Sequence, residues 1–349
     1  MARSVKSVAR YIVRKIDEGS KVFSPKGTPL MSFLAPTPEQ ALLGLRAMKT
    51  VVTASAPLDD TRRALIAAVQ KHVLNTAHDF DRLDPITPEA LAAAFVEPRL
   101  RDQLSRGICL QVMIPDSPAA AEREMAERFV HALGGAKESL DRMRSAYEHK
   151  MTVLRFDAFR SSFMADSAKR KLKDEGVLGL LANIGEILGV HENAEVAARY
   201  RALGELPVGT VGRTLFAFYT ERSFPFPGER GGAPESIIAH DLTHVLTGYS
   251  TDLPSEACVT AFQAGYRREG PFAGLLFVLM NMEKGVKMTR LAPGATHMFG
   301  EPGMADRIVD AWKRGTLVKM DLVAEWDYWK DLPRPLADVR AELGVVVKA

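Results

Sequence analysis

Apolar positions recur every three to four residues through most of this chain and nowhere alternate with period two over a useful length. The class this pattern predicts is all-α. Ala41, Leu42, Leu45, Met48 and Val52 mark one helical face after Pro38. Leu65, Ile66, Val69, His72 and Val73 mark another after the turn at 57–60. Thr87-Pro88-Glu89 reads as a helix start, residues 104–113 as a helix, and 119–133 as a further one stopped by Gly134-Gly135. Charged residues 140–175 continue in helical register, and 178–188 give an apolar helix ended by Gly189. Further on, the pattern predicts helices over 214–220, 235–247, 253–266, 272–288, 307–314, 322–329 and 335–343.

Punctuation divides the chain. Residues 19–38 are rich in Gly, Ser and Pro and read as a loop or linker. Residues 1–37 therefore form an N-terminal basic helix and linker, 38–145 a first helical domain, and 146–349 a second. Within the first piece, Val5, Val8, Ile12 and Ile16 share a face among Lys6, Arg10, Arg14 and Lys15. A helix docked on its own domain is the simpler reading; contact with an anionic membrane surface is the alternative.

The chemistry concentrates in residues 237–257. His240, Asp241 and His244 occupy helix positions i, i+1 and i+4, at about 0°, 100° and 40° around the axis. Gly248 reads as a helix stop, and Asp252 with Pro254 as the next start. In an antiparallel hairpin, Glu256 then comes level with His244. Two imidazoles and two carboxylates suit Zn²⁺, Fe²⁺ or Mn²⁺. The flanking Ile237, Leu242, Val245, Leu246 and Tyr249 place this polar group against a core, where buried polar atoms need partners.

Other features are weaker. The residues 206–213 hold a Gly-x-x-Gly but no P-loop lysine, so a nucleotide site is not expected. Ala257, Ala261 and Gly265 form a seam of small residues suited to close helix packing. The greasiest segment, 272–288, reads either as core or as one wall of a cavity for a long apolar ligand, with Phe272, Leu275, Leu279 and Met282 as candidate lipid-facing residues.

Composition adds limits. The 349 residues are 46% hydrophobic and 26% charged, ordinary for a globular protein. A net charge of +3 gives no argument for a nucleic-acid partner. The two cysteines, Cys109 and Cys258, are far apart and fit a reducing compartment. No apolar run approaches the roughly 18 residues of a membrane span, and no secretory signal is visible, so a cytoplasmic protein, or one peripheral to the inner face of a membrane, is expected.

Two resemblances follow. Residues 38–142, with Asp59, Asp60 and Asp116 at their turns, resemble the tellurite-resistance-B-like helical domain. The element His240-Asp241-x-x-His244-x₁₁-Glu256, preceded by Leu-Pro-x-Gly-Thr-x-Gly and followed by a Trp-rich end with Pro-Leu-x-x-Val-Arg-x-x-Leu-Gly, resembles the fourth-component family of coenzyme Q (ubiquinone) biosynthesis over residues 175–345. That resemblance implies a metal site at those four residues and an adjoining apolar cavity for an isoprenoid quinone precursor. It implies oxidative decarboxylation at C1 of the prenylated ring, and an organising role among the other quinone-biosynthesis enzymes. The competing readings are a metal-dependent phosphohydrolase drawing on His191, His240-Asp241 and a later aspartate such as Asp306 or Asp310, and a non-catalytic lipid-binding scaffold.

Overall fold

Residues 33–135, 137–148, 192–267, 271–286 and 294–348 are described by the computed structural model. The basic helix expected over 3–18, the helix over 178–188 and His191 lie outside them. Among the described residues there are only helices, turns and two isolated bridges, so the protein is all-α.

The first half begins with α1 (Pro38–Val52), started by a capping box in which Thr37 and Gln40 satisfy each other's backbone N–H groups. Asp59 caps α2 (Asp60–Val69), which runs into a π-turn at Gln70–Leu74. Thr87 caps α3 (Pro88–Ala94), as its Thr-Pro-Glu signal predicts. The fourth helix, α4 (Pro98–Met113), starts a turn and a half earlier than its apolar pattern shows. Its first turns are polar, and their signals are Glu97 as cap and Pro98 at the first position. α5 (Ala120–Leu133) ends at Gly134 in the left-handed conformation, and α6 (Lys137–Tyr147) follows.

The second half contains α7 (Ala194–Arg201), α8 (Val211–Glu221), α9 (Ile238–Thr247), α10 (Leu253–Tyr266), α11 (Pro271–Val278), α12 (Met304–Gly315) and α13 (Leu336–Leu343). Thr210 caps α8, so the glycine-rich approach to it is a helix start. One expected helix does not form. Over 322–329 the Asp321 carboxylate accepts from the backbone N–H groups of Val323 and Ala324 at 3.0 and 3.1 Å, holding turns where a helix was expected. Such local side-chain bonds compete with the helical ladder. Only a short 3₁₀ turn, Tyr328–Lys330, follows.

A single cluster of buried side chains runs from Ala47 to Val345 and joins the two halves. Polar bonds reinforce the junction. Asp306 of α12 accepts from Lys71 Nζ at 2.9 Å and meets His72 Nε2 at 2.8 Å, both just beyond α2. Asp310, one turn on, lies 3.6 Å from His72 Nδ1 and accepts from Arg314 Nε of its own helix at 2.8 Å.

The small-residue seam of α10 packs on α12. Ala257 and Ala261 are fully buried. A Cβ added to Gly315 would strike the Phe262 carbonyl oxygen and lie 3.1 Å from the Gly265 Cα. Backbone cannot yield as a side chain does, so Gly315→Ala should cost about 1–3 kcal/mol in urea unfolding. A change within a few tenths would contradict this close crossing.

Candidate metal centre

The hairpin of α9 and α10 is built by local signals. Leu242, Val245 and Leu246 seat α9 in the core. At its end Gly248 takes φ 77°, a left-handed conformation that costs a glycine little, and its N–H bonds the His244 carbonyl at 2.8 Å. The chain then reverses. Asp252 caps α10 by accepting from Ser255 N–H at 2.9 Å, with Pro254 in the first turn. That cap sets Glu256 in the opening turn of α10, facing back across the hairpin.

His240, His244 and Glu256 converge there, with one ligand atom from each lying within 4.8 Å of the others. Glu256 Oε2 is 3.2 Å from His240 Nε2, and Oε1 is 3.4 Å from His244 Nε2. The two Nε2 atoms are 3.3 Å apart.

The hydrogen bonds behind the rings decide where the protons are. His244 Nδ1 faces the Tyr249 carbonyl at 3.3 Å; a carbonyl only accepts, so Nδ1 carries the hydrogen. For His240 the chain of reasoning is longer. Thr243 Oγ1 donates to the Ala239 carbonyl at 2.7 Å and is left to accept from Gln263 Nε2 at 3.2 Å. Gln263 Oε1 therefore faces His240 Nδ1, at 3.3 Å, and accepts from it. Both Nε2 atoms consequently present lone pairs to each other and to a carboxylate.

Electron-rich atoms gathered this closely favour a cation among them. The carboxylate turns one oxygen to each imidazole, Oε2 to His240 and Oε1 to His244, so imidazole nitrogens and carboxylate oxygens, the donors zinc takes, face one another. The His240–His244–Glu256 group can hold a metal ion. Gln263 and the Tyr249 carbonyl fix both ring orientations, the role that partners behind metal-bound imidazoles usually serve.

Asp241 lies outside this cluster. Tyr219, on α8, donates its phenolic hydrogen to Asp241 Oδ2. Burial raises the Asp241 pKa and also pushes the Tyr219 phenol up. Tyr219 in turn stacks on Phe226 with ring centres 5.3 Å apart and planes at 11°, and Phe218 packs on His244 at 5.4 Å. The triad thus sits against an aromatic wall. The His240 and Glu256 side chains are 22% and 27% exposed, while His244 is 1%.

A proton can serve as the cation instead of a metal. Burial works against charge on His240, but the hydrogen bond and charge of Glu256 outweigh it and raise the imidazole to about 9. Burial works against charge on Glu256 too, and the two imidazoles beside it, His240 first and then His244, outweigh it, lowering the carboxyl to about 2. In metal-free protein the His240 contribution is complete below its ordinary value of 6.5 and lost as pH rises through about 9. The Glu256 contribution is complete above 4.5 and lost as pH falls towards about 2. A metal must displace the His240 proton. Near neutral pH we therefore expect release of about one proton per ion bound, with affinity rising about tenfold per pH unit up to about pH 9. Titration calorimetry in buffers of different ionisation enthalpy measures this; binding without proton release would contradict it.

Of the candidate lipid-facing residues, Leu275 and Leu279 line an apolar cavity of about 320 Å³ between the two halves. Met282 is buried but does not line it, and the Phe272 side chain lies outside the described residues. Asp306 and Asp310 face Lys71, His72 and Arg314. Gln263, Tyr219 and the Tyr249 carbonyl were not picked out from the sequence. Gln263 had a usable signal, since it lies seven residues after Glu256 and so on the same face of α10. Neither a scan against protein-family models nor a search of curated proteins finds a match to this chain.

Proposed function

We propose that this protein holds one divalent ion, zinc, iron or manganese, at His240, His244 and Glu256, and acts on a prenylated benzoquinone precursor in a pathway like that of ubiquinone. The reaction is oxidative decarboxylation at C1 of the ring, in which the carboxyl leaves as CO₂ and dioxygen is the external oxidant, performed alongside other quinone-biosynthesis enzymes. The observation that carries the reading is the convergence of two Nε2 lone pairs and a carboxylate, in the sequence spacing of the quinone-pathway motif.

The donor set favours an enzyme over a scaffold. Three protein ligands are the usual complement of a catalytic zinc site, whereas structural zinc takes four. A bound ion supplies Lewis acidity toward a phenolate or carboxylate oxygen. The residues around it bind and orient. His240 and Glu256 form the exposed edge by which a substrate ring reaches the site. Phe218 and Tyr219 are buried behind it, and Phe226, stacked on Tyr219, is the partly exposed ring of this wall. The Tyr219–Asp241 pair holds a proton at the phenolic oxygen, next to the ligand helix. Among the described residues no helix is long and apolar enough to cross a membrane, so access to a membrane-borne substrate would be peripheral. The carboxylates that a phosphohydrolase set would need, Asp306 and Asp310, are engaged with Lys71, His72 and Arg314 instead.

The test is rescue of quinone synthesis in cells lacking the corresponding step. Wild-type protein should restore it and His240→Ala, shown by circular dichroism to be folded, should not. Rescue by the alanine variant at normal stability would defeat the catalytic reading.

A further inference from the structure

The apolar cavity of about 320 Å³ stands apart from the metal centre: His240, His244 and Glu256 do not line it. Its walls come from both halves, with Leu45 and Leu65 on α1 and α2 facing Leu275 and Leu279 across it. Two polar residues break this lining in a telling way. Gln111, in the last turn of α4, is 8% exposed, and its Oε1 is buried with no hydrogen-bond partner among the described residues. The indole Nε1 of Trp312, on α12, is likewise buried and unpartnered. Both residues line the cavity. Buried polar atoms are rarely left unmatched, and the orphaned Gln111 acceptor on the wall of an apolar space points to a ligand that donates to it.

We propose that this cavity is a second binding site, formed by the N-terminal helices with α10–α12, for an uncharged single-chain molecule ending in a hydroxyl group seated against Gln111. Size sets the chain. A cavity of about 150 Å³ accepts benzene, so one of about 320 Å³ takes roughly ten to fifteen carbons. Charge sets the head. Arg106 is the charged residue of the lining, and its Nε donates to Asp102 Oδ2 at 2.6 Å, so the wall presents no bare charge to an acid or an amine. Gln111 matches a hydroxyl in both directions, because its amide accepts through oxygen and donates through nitrogen. The site holds whether or not a metal binds in the hairpin.

Calorimetry on the full chain with 1-dodecanol, dodecanoate and dodecane tests it. Saturable 1:1 binding of dodecanol is expected, about tenfold tighter than either of the others, the loss expected for one buried hydrogen bond or an unpaired charge. Gln111→Leu should bind dodecanol and dodecane equally. Gly44→Leu should abolish binding of all three: Gly44 lines the cavity and a Cβ there meets only Leu104 Cδ1, at 3.5 Å, so the added side chain takes up ligand space, with circular dichroism checking that the variant is folded. His240→Ala should bind dodecanol as wild type does, which separates this site from the metal centre. Equal binding of the three probes to wild type, no binding of dodecanol, or an unchanged preference in Gln111→Leu would overturn the proposal.

Discussion

Replacing His244 with alanine should lower metal affinity by more than about 100-fold, since three or four ligands share the roughly 10–16 kcal/mol of a tight zinc site. The effect should be this large because His244 is the innermost of the three, 1% exposed, with its ring fixed by the Tyr249 carbonyl and by Phe218. No neighbouring imidazole or carboxylate of the cluster can take its place without breaking its own bond. Asp241→Asn gives the contrast. Asp241 lies outside the triad and accepts from Tyr219, so the asparagine variant should keep stoichiometric metal. Competition with a chromophoric chelator measures both. Loss of metal in the Asp241 variant and retention in the His244 variant would reverse the assignment of ligands.

The second large effect is expected far from the site. Glu122 on α5 accepts from Arg62 on α2, and the two side chains are only 5% and 6% exposed. Arg62 also donates to Asp59, the residue that caps α2, so one guanidinium ties the helix start to the neighbouring helix. Glu122→Ala leaves that guanidinium buried beside a hole and should cost about 3–5 kcal/mol in urea unfolding. The pair itself is not a strong stabiliser. Burial raises the Glu122 pKa despite the pull of Arg62, so the folded protein favours the charge on this carboxyl less than water does. The double replacement Arg62→Met with Glu122→Leu should therefore recover most of the loss. A double variant as unstable as the single one would show that the pair holds the fold by itself.

How much of this could be read from the chain depends on the range of the interactions. The hairpin was legible because its determinants are local: Gly248 stops one helix, Asp252 and Pro254 start the next, and the 3.6-residue period aligns His240 with His244. The place of Asp241 was not legible. Its partner, Tyr219, lies 22 residues away on another helix, and only packing brings the two together. The first turns of α4 were hidden because they are polar, and the helix expected over 322–329 fails because one carboxylate, Asp321, captures the backbone locally. The greasy segment after 272 announced an apolar wall through Leu275 and Leu279. The opposite wall, from α1, α2 and α4, could not be foreseen, since no local pattern says which distant helix faces it.

The central claim is that a cation belongs among His240, His244 and Glu256. Elemental analysis of the 349-residue chain, purified at neutral pH without chelator, tests it most directly. We expect close to one equivalent of zinc, iron or manganese per chain, lost in His244→Ala. Protein that carries none of these metals, and takes none up on addition of the free ions at neutral pH, would contradict the account.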